Sequence, residues 1–172
     1  MPEKIPANEI TFREMSEEQA VKTFEDDGYF EYQKRAMRFN HIPLDSPWVV
    51  STARMFVAFY ENKPVGVIGF ANYKNVLLGA GVHVRKEYRM RGLTSVLIDK
   101  LLSEKGSKTL FINFGNKIAS SAYRKKGFVD MDKNKLPIEA REAVEGIPTI
   151  VDQVQKYMVS SSPRWMEVLK WN

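Results

Sequence analysis

The sequence contains no cysteine and only two histidines, His41 and His83, in 172 residues. The missing cysteines exclude disulfide bonds, thiolate catalysis and cysteine-ligated zinc, and two histidines are too few for a histidine-rich metal site. The chain also lacks an apolar run of roughly 18 residues that could span a membrane, and its first residues do not resemble a signal peptide. We therefore expect a cytoplasmic protein with no metal and no membrane partner.

The composition is that of an ordinary soluble globule, with 44% hydrophobic and 27% charged residues. The length suits a single domain over residues 1–172 with a sizeable core. The formal net charge is +5, which suggests nucleic acid as one candidate partner or substrate. However, many basic residues concentrate in two short segments, 85–91 and 124–126, where a polyanionic ligand would explain part of the excess. A dedicated nucleic-acid surface is the weaker alternative.

An apolar strand, a basic turn at residues 85–92 and a helix follow one another along the chain. Apolar residues recur at helical spacing from Leu93 onward, so the first N–H groups of this helix face back into the basic turn. These N–H groups, the positive end of the helix dipole and the guanidinium groups of Arg89 and Arg91 converge on one spot. Gly92 lets the backbone approach a ligand without an intervening Cβ. The segment predicts an anion site, with a pyrophosphate as the expected occupant.

Two segments of the sequence resemble one known family. The spacing Arg89-x-x-Gly92-x-Thr94 resembles the Arg/Gln-x-x-Gly-x-Gly/Ala acetyl-CoA signature of the GNAT superfamily of N-acetyltransferases, with Thr94 in place of Gly or Ala. Residues 116–128 resemble the family segment Asn-x-x-Ala-x-x-Leu-Tyr-x-x-x-Gly-Phe, with Ala122 in place of Leu. The two segments stand in the family's order, separated by one helix and one strand. The sequence is thus identified as a member of this superfamily.

The resemblance implies an α/β fold with a mostly antiparallel sheet of six or seven strands flanked by helices. The hydrophobic patterns agree with this fold, since they predict strands at residues 10–15, 54–60, 65–73, 75–84, 109–114 and 128–132. The fifth of these strands should lie parallel to the fourth, because a helix connects them.

Three further segments have predicted structures. Ser16 and Gln19 predict a capping box at the start of the first helix. A second helical run is expected at residues 29–39. Residues 133–163 are interpreted as a helical insertion, acting as a substrate lid or an oligomer contact, and residues 165–171 as the last strand.

The resemblance also implies catalytic roles. The backbone N–H of Val82 would polarise the thioester carbonyl of acetyl-CoA, and Val84 would pair with its pantetheine arm. Both valines are core strand residues in either case, because these roles use only the backbone. Tyr123 stands where the family's tyrosine protonates the departing thiolate. The alternative for Tyr123 is a purely packed tyrosine.

The remaining implied contacts complete an acetyl-CoA site. Asn116 would hydrogen-bond the pantetheine amide or orient the acyl group, although capping of the following helix is an equally natural use. The implied cofactor-binding residues are Val82, Val84, Arg89, Met90, Arg91, Gly92, Leu93, Thr94, Ser95, Asn116 and Tyr123.

The general base is the least determined part of the predicted site. Family members with a carboxylate base carry it on the strand before the signature, but residues 76–84 contain no acidic side chain. His83 is the only titratable group there, and its ordinary pKa of about 6.5 suits a base at neutral pH. The alternatives are a packed or surface histidine and a chain of water molecules as the base.

Together these observations predict an acetyl-CoA-dependent N-acetyltransferase that acetylates a primary amine of a small molecule or peptide by direct attack. One alternative is a degenerate member that binds acyl-CoA without turnover. Another is a nucleic-acid-directed protein that modifies or only binds its partner. A monomer and a homodimer are both compatible with the sequence.

Overall fold

The computed structural model describes residues 2–27, 54–73, 76–104, 109–113, 117–132, 135–136, 138, 141 and 156–160. The strands in these residues are β1 (Thr11–Ser16), β2 (Arg54–Tyr60), β3 (Lys63–Tyr73), β4 (Val76–Val84), β5 (Thr109–Asn113), β6 (Phe128–Asp132) and β7 (Lys156–Ser160). The α-helices are α1 (Glu17–Thr23), α2 (Leu93–Glu104) and α3 (Lys117–Lys125). None of the helices described is long and apolar enough to cross a membrane.

The strands form one sheet in the order β1-β2-β3-β4-β5-β7-β6. All neighbouring pairs are antiparallel except β4 and β5, which are parallel. This confirms the mixed, mostly antiparallel α/β sheet and the parallel connection through α2. A parallel pair needs such a crossover, because a tight turn between consecutive strands would make them antiparallel.

Local sequence signals explain where several elements begin. The Gln19 N–H donates to the Ser16 side chain at 3.3 Å, and the Ser16 N–H donates to the Gln19 side chain at 3.0 Å, so the predicted capping box starts α1. Between β2 and β3, Glu61 and Asn62 have φ values of 49° and 62°. Two consecutive left-handed residues are typical of the tight turns whose twist matches a β-hairpin.

The sheet separates two apolar clusters. The main core cluster joins the sheet to α2 and α3, and includes Phe56, Ile68, Val84, Leu93, Leu97, Ile98, Leu101, Tyr123 and Phe128. The second cluster joins the sheet to α1, and consists of Ala20, Phe24, Met55, Val57, Phe59 and Val67. Alternate residues of β2 therefore enter opposite clusters, as the two-residue period of a strand requires.

A glycine allows α2 to lie close to the sheet. A Cβ at Gly66 would lie 3.0 Å from a methyl carbon of Leu97 and 2.9 Å from the His83 carbonyl oxygen. Both distances are too short for ordinary contacts, so this point on β3 requires a residue without a side chain. The close approach helps fix the start of α2 relative to the end of β4.

One strand lies where a helical insertion was expected from the sequence. β7 occupies Lys156–Ser160 and pairs with both β5 and β6. This segment lies inside residues 133–163, so the expected helical insertion does not extend through its C-terminal part. Short apolar runs cannot be distinguished as strand or helix by periodicity alone, which explains the error. Residues 165–171 and the helical run expected at 29–39 lie outside the described residues.

Candidate active site

The candidate site begins where β4 and β5 separate. Their parallel pairing runs from Val76 opposite Thr109 to Gly79 opposite Ile112. Beyond this point β4 continues to Val84 beside β3, while β5 pairs with β7 on its other side. We call the opening between the two strands the β4–β5 gap. Ligands of open α/β sheets commonly bind where parallel strands diverge at their carboxyl ends.

A bulge in β4 accompanies the separation. Ile68 of β3 pairs with Val82, whereas Phe70 pairs with Gly79, so two steps along β3 correspond to three along β4. An extra residue in one strand bends that strand and increases its local twist. The bulge therefore lies at the point where β4 leaves β5, and residues 80–84 follow β3.

The peptide groups of Val82 and Val84 are directed toward the β4–β5 gap. The Arg85 N–H donates to the Val65 carbonyl of β3 at 3.0 Å. Because peptide groups alternate in direction along a strand, those of Val82 and Val84 point away from β3. The Val84 carbonyl accepts a hydrogen bond from Arg89 Nε at 3.0 Å, which agrees with this direction.

The basic turn closes one end of the gap. It contains a short 3-10 helix at Lys86–Tyr88, and α2 begins immediately after Gly92. The N–H groups of Ser95 and Val96 donate to the Gly92 carbonyl at 3.0 and 3.4 Å. Those of Leu93 and Thr94 come too early in the helix to have an intrahelical acceptor. The helix therefore begins at Leu93, as the sequence predicts, and its first N–H donors face the turn.

Two residues of the turn have left-handed backbones. Met90 has φ of 63° and Gly92 has φ of 86°. No atom lies within 4 Å of the position that a Cβ on Gly92 would take. The protein therefore requires glycine here for its backbone conformation, and the space beside it is open. Met90 is 79% exposed, so its side chain gains little packing in return for the strained backbone.

The two arginines of the signature have different surroundings. Arg89 is exposed and directs Nε to the Val84 carbonyl; its other N–H groups have no hydrogen-bond partner among the described residues. Arg91 is partly buried and lies close enough to Tyr60 to influence its pKa. The Glu61 carboxylate is the main cause that raises the pKa of Tyr60, and Arg91 opposes it.

Tyr123 lies on α3 with its side chain 1% exposed, inside the main core cluster. Its ring meets that of Phe128 edge to face, with the ring centroids 5.1 Å apart. The packing role considered for Tyr123 is therefore present, and a catalytic role stays a prediction. Asn116 lies outside the described residues.

His83 faces the opposite side of the sheet from Val82 and Val84. Its Nε2 contacts a carboxylate oxygen of Asp27, and the two side chains are only 11% and 15% exposed. Burial lowers the pKa of His83 below its usual value, Asp27 opposes this change, and Arg89 and Arg85 add to it. The net direction favours a neutral imidazole, which is the form a base needs. We call these two residues the His83–Asp27 pair.

Asp27 was missed by the sequence analysis. It lies 56 residues before His83, in a short 3-10 helix at Glu25–Asp27 that follows α1. A run of acidic residues after a helix is ordinary for a solvated surface, so the sequence offered no signal for this contact. The fold creates it by packing α1 on β1 and β2, which brings the 3-10 helix after α1 to His83 of β4.

Arg85 belongs to the same face of the sheet as His83. Its guanidinium group donates to both carboxylate oxygens of Asp26, at 2.9 and 2.8 Å, and to the Thr23 carbonyl at 3.0 Å. It also lies 5.0 Å from the centre of the Phe24 ring. The hydrogen bond from Arg85 lowers the pKa of Asp26 below its usual value. Arg85 therefore anchors the end of α1 rather than contributing to the anion site.

Arg124 and Lys126, in the second basic segment, also have carboxylate partners. Arg124 forms a two-pronged pair with Asp130, with distances from 2.9 to 3.1 Å, and Lys126 lies 2.6 Å from Asp99. These pairs neutralise part of the positive charge that suggested a nucleic-acid partner. Among the residues with described positions, no group of three or more histidine, aspartate or glutamate side chains could hold a metal ion.

Comparison with known proteins agrees with this geometry. Residues 51–130 match a family model described as an acetyltransferase (GNAT) domain. A comparison with curated protein sequences finds no match. Among solved structures, a GNAT-family acetyltransferase from Staphylococcus aureus Mu50 is 17% identical, with a TM-score of 0.58, over 88% of this chain and 98% of that one.

Two further structures share the fold and have described activities. N-acetylglutamate synthase from Neisseria gonorrhoeae, complexed with coenzyme A and N-acetylglutamate, is 11% identical with a TM-score of 0.60, over 88% of this chain and 34% of that one. The ribosomal-protein-S18-alanine N-acetyltransferase from Escherichia coli is 13% identical with a TM-score of 0.53, over 89% and 96%. The family match therefore assigns residues 51–130 to a GNAT acetyltransferase domain, and the solved structures share the fold over most of the chain.

Proposed function

We propose that this protein transfers the acetyl group of acetyl-CoA to a primary amine. The observation that carries the proposal is the β4–β5 gap, which has the peptide groups of Val82 and Val84 on one wall and the basic turn with the start of α2 at one end. A thioester on a long arm with a pyrophosphate needs both parts. Neither part alone would point to a coenzyme A derivative.

The donor site combines backbone and side-chain groups. The N–H groups of residues 92–94 and the guanidinium groups of Arg89 and Arg91 would bind the pyrophosphate, with help from the helix dipole. Met90 would contribute its main chain. Val84 would pair with the pantetheine arm, as an added strand pairs with an open edge. Asn116 is a further proposed contact to that arm.

The chemistry needs a polarised carbonyl, a neutral amine and a proton for the leaving sulfur. The Val82 N–H would donate to the thioester oxygen, where negative charge grows as the amine attacks. The new C–N bond forms, the C–S bond breaks, and Tyr123 would give its hydroxyl proton to the departing thiolate. Tyr123 then recovers a proton from solvent and the base releases the proton that it took from the amine, so the protein returns to its starting state.

His83 is the proposed base that takes the proton from the attacking amine, directly or through one water. Its neutral form is favoured by burial, and the contact with Asp27 fixes the orientation of the imidazole. Asp27 and Phe24, near the end of α1, lie against its ring, and the charges of Arg89 and Arg85 lower its pKa further. His83 would thus take the role of the carboxylate base that β4 lacks.

The acceptor is proposed as a primary amine of a small molecule or a peptide. The Neisseria enzyme was complexed with N-acetylglutamate and the Escherichia enzyme acts on an alanine of a ribosomal protein, so related folds serve both classes. The pairing of Arg124 and Lys126 with carboxylates reduces the case for a nucleic-acid acceptor.

The proposal is tested by measuring thiol release from acetyl-CoA in the presence of a panel of amines, peptides and nucleosides. Turnover with at least one amine, and none without an acceptor, is expected. Acetyl-CoA binding by calorimetry without thiol release for any acceptor would instead favour the degenerate acyl-CoA-binding alternative. Absence of acetyl-CoA binding would contradict the proposal as a whole.

A further inference from the structure

The N-terminal segment, residues 2–9, contacts the basic turn. The Ile5 N–H donates to the Arg91 carbonyl at 3.2 Å. The Ile5 side chain is 7% exposed and belongs to the main core cluster, which also contains Val84 and Leu93 from the two ends of the turn. A segment that precedes β1 is thus attached to residues more than eighty positions later in the chain.

The basic turn needs such support. Arg91 stands between Met90 and Gly92, which both have positive φ. A left-handed conformation at a residue other than glycine costs roughly 1 to 2 kcal/mol, so Met90 would relax if the surrounding structure allowed it. The exposed side chain of Met90 provides no packing that could offset this strain. The conformation must therefore be held by contacts of the neighbouring backbone.

The contacts that hold the turn can be traced. The Tyr88 and Arg89 N–H groups donate to carbonyls inside the turn, and the Ser95 and Val96 N–H groups donate to Gly92. Within the part of the chain that the structure describes, the bond from Ile5 is the single backbone hydrogen bond that links residues 86–92 to a distant segment. It acts on the carbonyl of the residue between the two left-handed positions.

Side chains of the N-terminal segment lie near the same place. Glu9, in the short 3-10 helix Ala7–Glu9, and Arg91 both lie close enough to Tyr60 to influence its pKa, in opposite directions. Tyr60 in turn contacts the Tyr88 ring of the basic turn edge to face, with the ring centroids 6.4 Å apart. Tyr60 and Tyr88 also pack against the main core cluster that contains Ile5, so the N-terminal segment, the end of β2 and the basic turn meet in one packed region.

We propose that Ile5 is a positioning residue for acetyl-CoA, whose backbone N–H holds the Arg91 carbonyl and so keeps the turn in its ligand-binding conformation. This rests on the proposed acetyl-CoA site at residues 89–95. An unsupported turn would have to regain its left-handed backbone when the pyrophosphate binds, and affinity would fall by the cost of that ordering. The N-terminal segment thus belongs functionally to the donor site.

The test compares two substitutions at one position. Ile5→Pro removes the N–H donor but keeps an apolar side chain, and position 5 is already biased toward extended backbone because Pro6 follows it. Ile5→Ala keeps the donor and removes most of the buried side chain. By calorimetry with coenzyme A, we expect Ile5→Pro to weaken binding about three- to tenfold, the range for loss of one hydrogen bond. Ile5→Ala should lower Tm while affinity stays within about twofold.

Two outcomes would overturn the inference. Unchanged affinity in a folded Ile5→Pro protein would show that the hydrogen bond has no effect on the ligand. Equal losses of affinity in both variants would assign the effect to packing. Gly92→Asp, measured alongside, separates this inference from the proposed function: if Gly92→Asp also leaves affinity unchanged, the donor site itself has been assigned wrongly.

A measurement on the unmodified protein keeps the inference testable if Ile5→Pro does not fold. Coenzyme A binding should slow hydrogen exchange of the Ile5 amide, because ligand and hydrogen bond stabilise the same conformation. The Ile10 amide is the matched control, since Ile10 is similarly buried at 8% and donates locally to the Ala7 carbonyl at 3.2 Å. Exchange at Ile5 that does not change under saturating coenzyme A would contradict the proposal.

Discussion

On the α2 side of β4, the basic turn comes from one continuous stretch of chain, residues 85–92, and uses mainly backbone groups. On the α1 side, the His83–Asp27 pair joins side chains 56 residues apart. The first region depends on left-handed backbone and a helix start, which residues adjacent in the sequence determine. The second depends on how α1 packs on the sheet. The donor half and the base half of the proposed site therefore have different structural origins, and substitutions in them should change different measured properties.

The largest expected effect is that of Tyr123→Phe, which should separate the chemical step from acetyl-CoA binding. This change keeps the buried ring and its contact with Phe128 but removes the proton that we propose for the leaving thiolate. We expect kcat to fall about 10²-fold or more, with acetyl-CoA affinity changed little. Stopped-flow thiol detection and calorimetry would measure the two quantities. Unchanged kcat would remove Tyr123 from the mechanism, and equal losses of stability and binding would leave it a packing residue.

The donor region is tested by Gly92→Asp. The new carboxylate would stand in the open space beside Gly92, facing the proposed pyrophosphate, and we expect acetyl-CoA affinity to fall roughly tenfold to a hundredfold through charge repulsion. Gly92→Asn is the matched control, because asparagine has nearly the same size and tolerates positive φ about as well. If both variants lose the same affinity, the effect comes from the backbone. If the Asp variant binds as the original protein does, the anion site lies elsewhere.

The base region is tested by Asp27→Asn. The carboxylate raises the pKa of His83 against the effect of burial, so its removal should lower that pKa further. The acidic limb of the kcat profile should then move to lower pH, and kcat at its plateau should fall, by about tenfold, because the imidazole loses its fixed orientation. Profiles of both proteins with the same amine would check this.

Asp26→Asn provides the matched control for the base region. Asp26 is the adjacent carboxylate, but it pairs with Arg85 and lies at the surface. Its replacement should leave the pH profile of kcat where it is. A profile that shifts equally in both variants would mean that the end of α1 acts as a unit. An unshifted profile in Asp27→Asn would exclude His83 as the titrating base.

The two regions also differ in how far the sequence could predict them. The helix start at Leu93 and the turn before it were predicted because a few adjacent residues determine each, and the parallel pairing of β4 and β5 because a helix connects the two strands. The contacts of Asp27 with His83 and of Asp26 with Arg85 span 56 and 59 residues, and no local pattern encodes a contact at that distance. The strand β7 was taken for part of a helical insertion for a related reason, since a five-residue strand acquires its identity from the strands beside it.

The smallest expected effect concerns the pH dependence of stability. Burial lowers the pKa of His83, so the unfolded chain binds a proton at His83 more readily than the folded protein does. The resulting contribution to the free energy of unfolding is fully present above pH ~6.5 and is lost as pH falls below it through the folded-state pKa. Denaturant unfolding at pH 7.5 and 5.5 would measure this loss, and His83→Gln should reduce it. A loss of equal size in His83→Gln would mean that other groups control acid stability and that the burial of His83 has little energetic consequence.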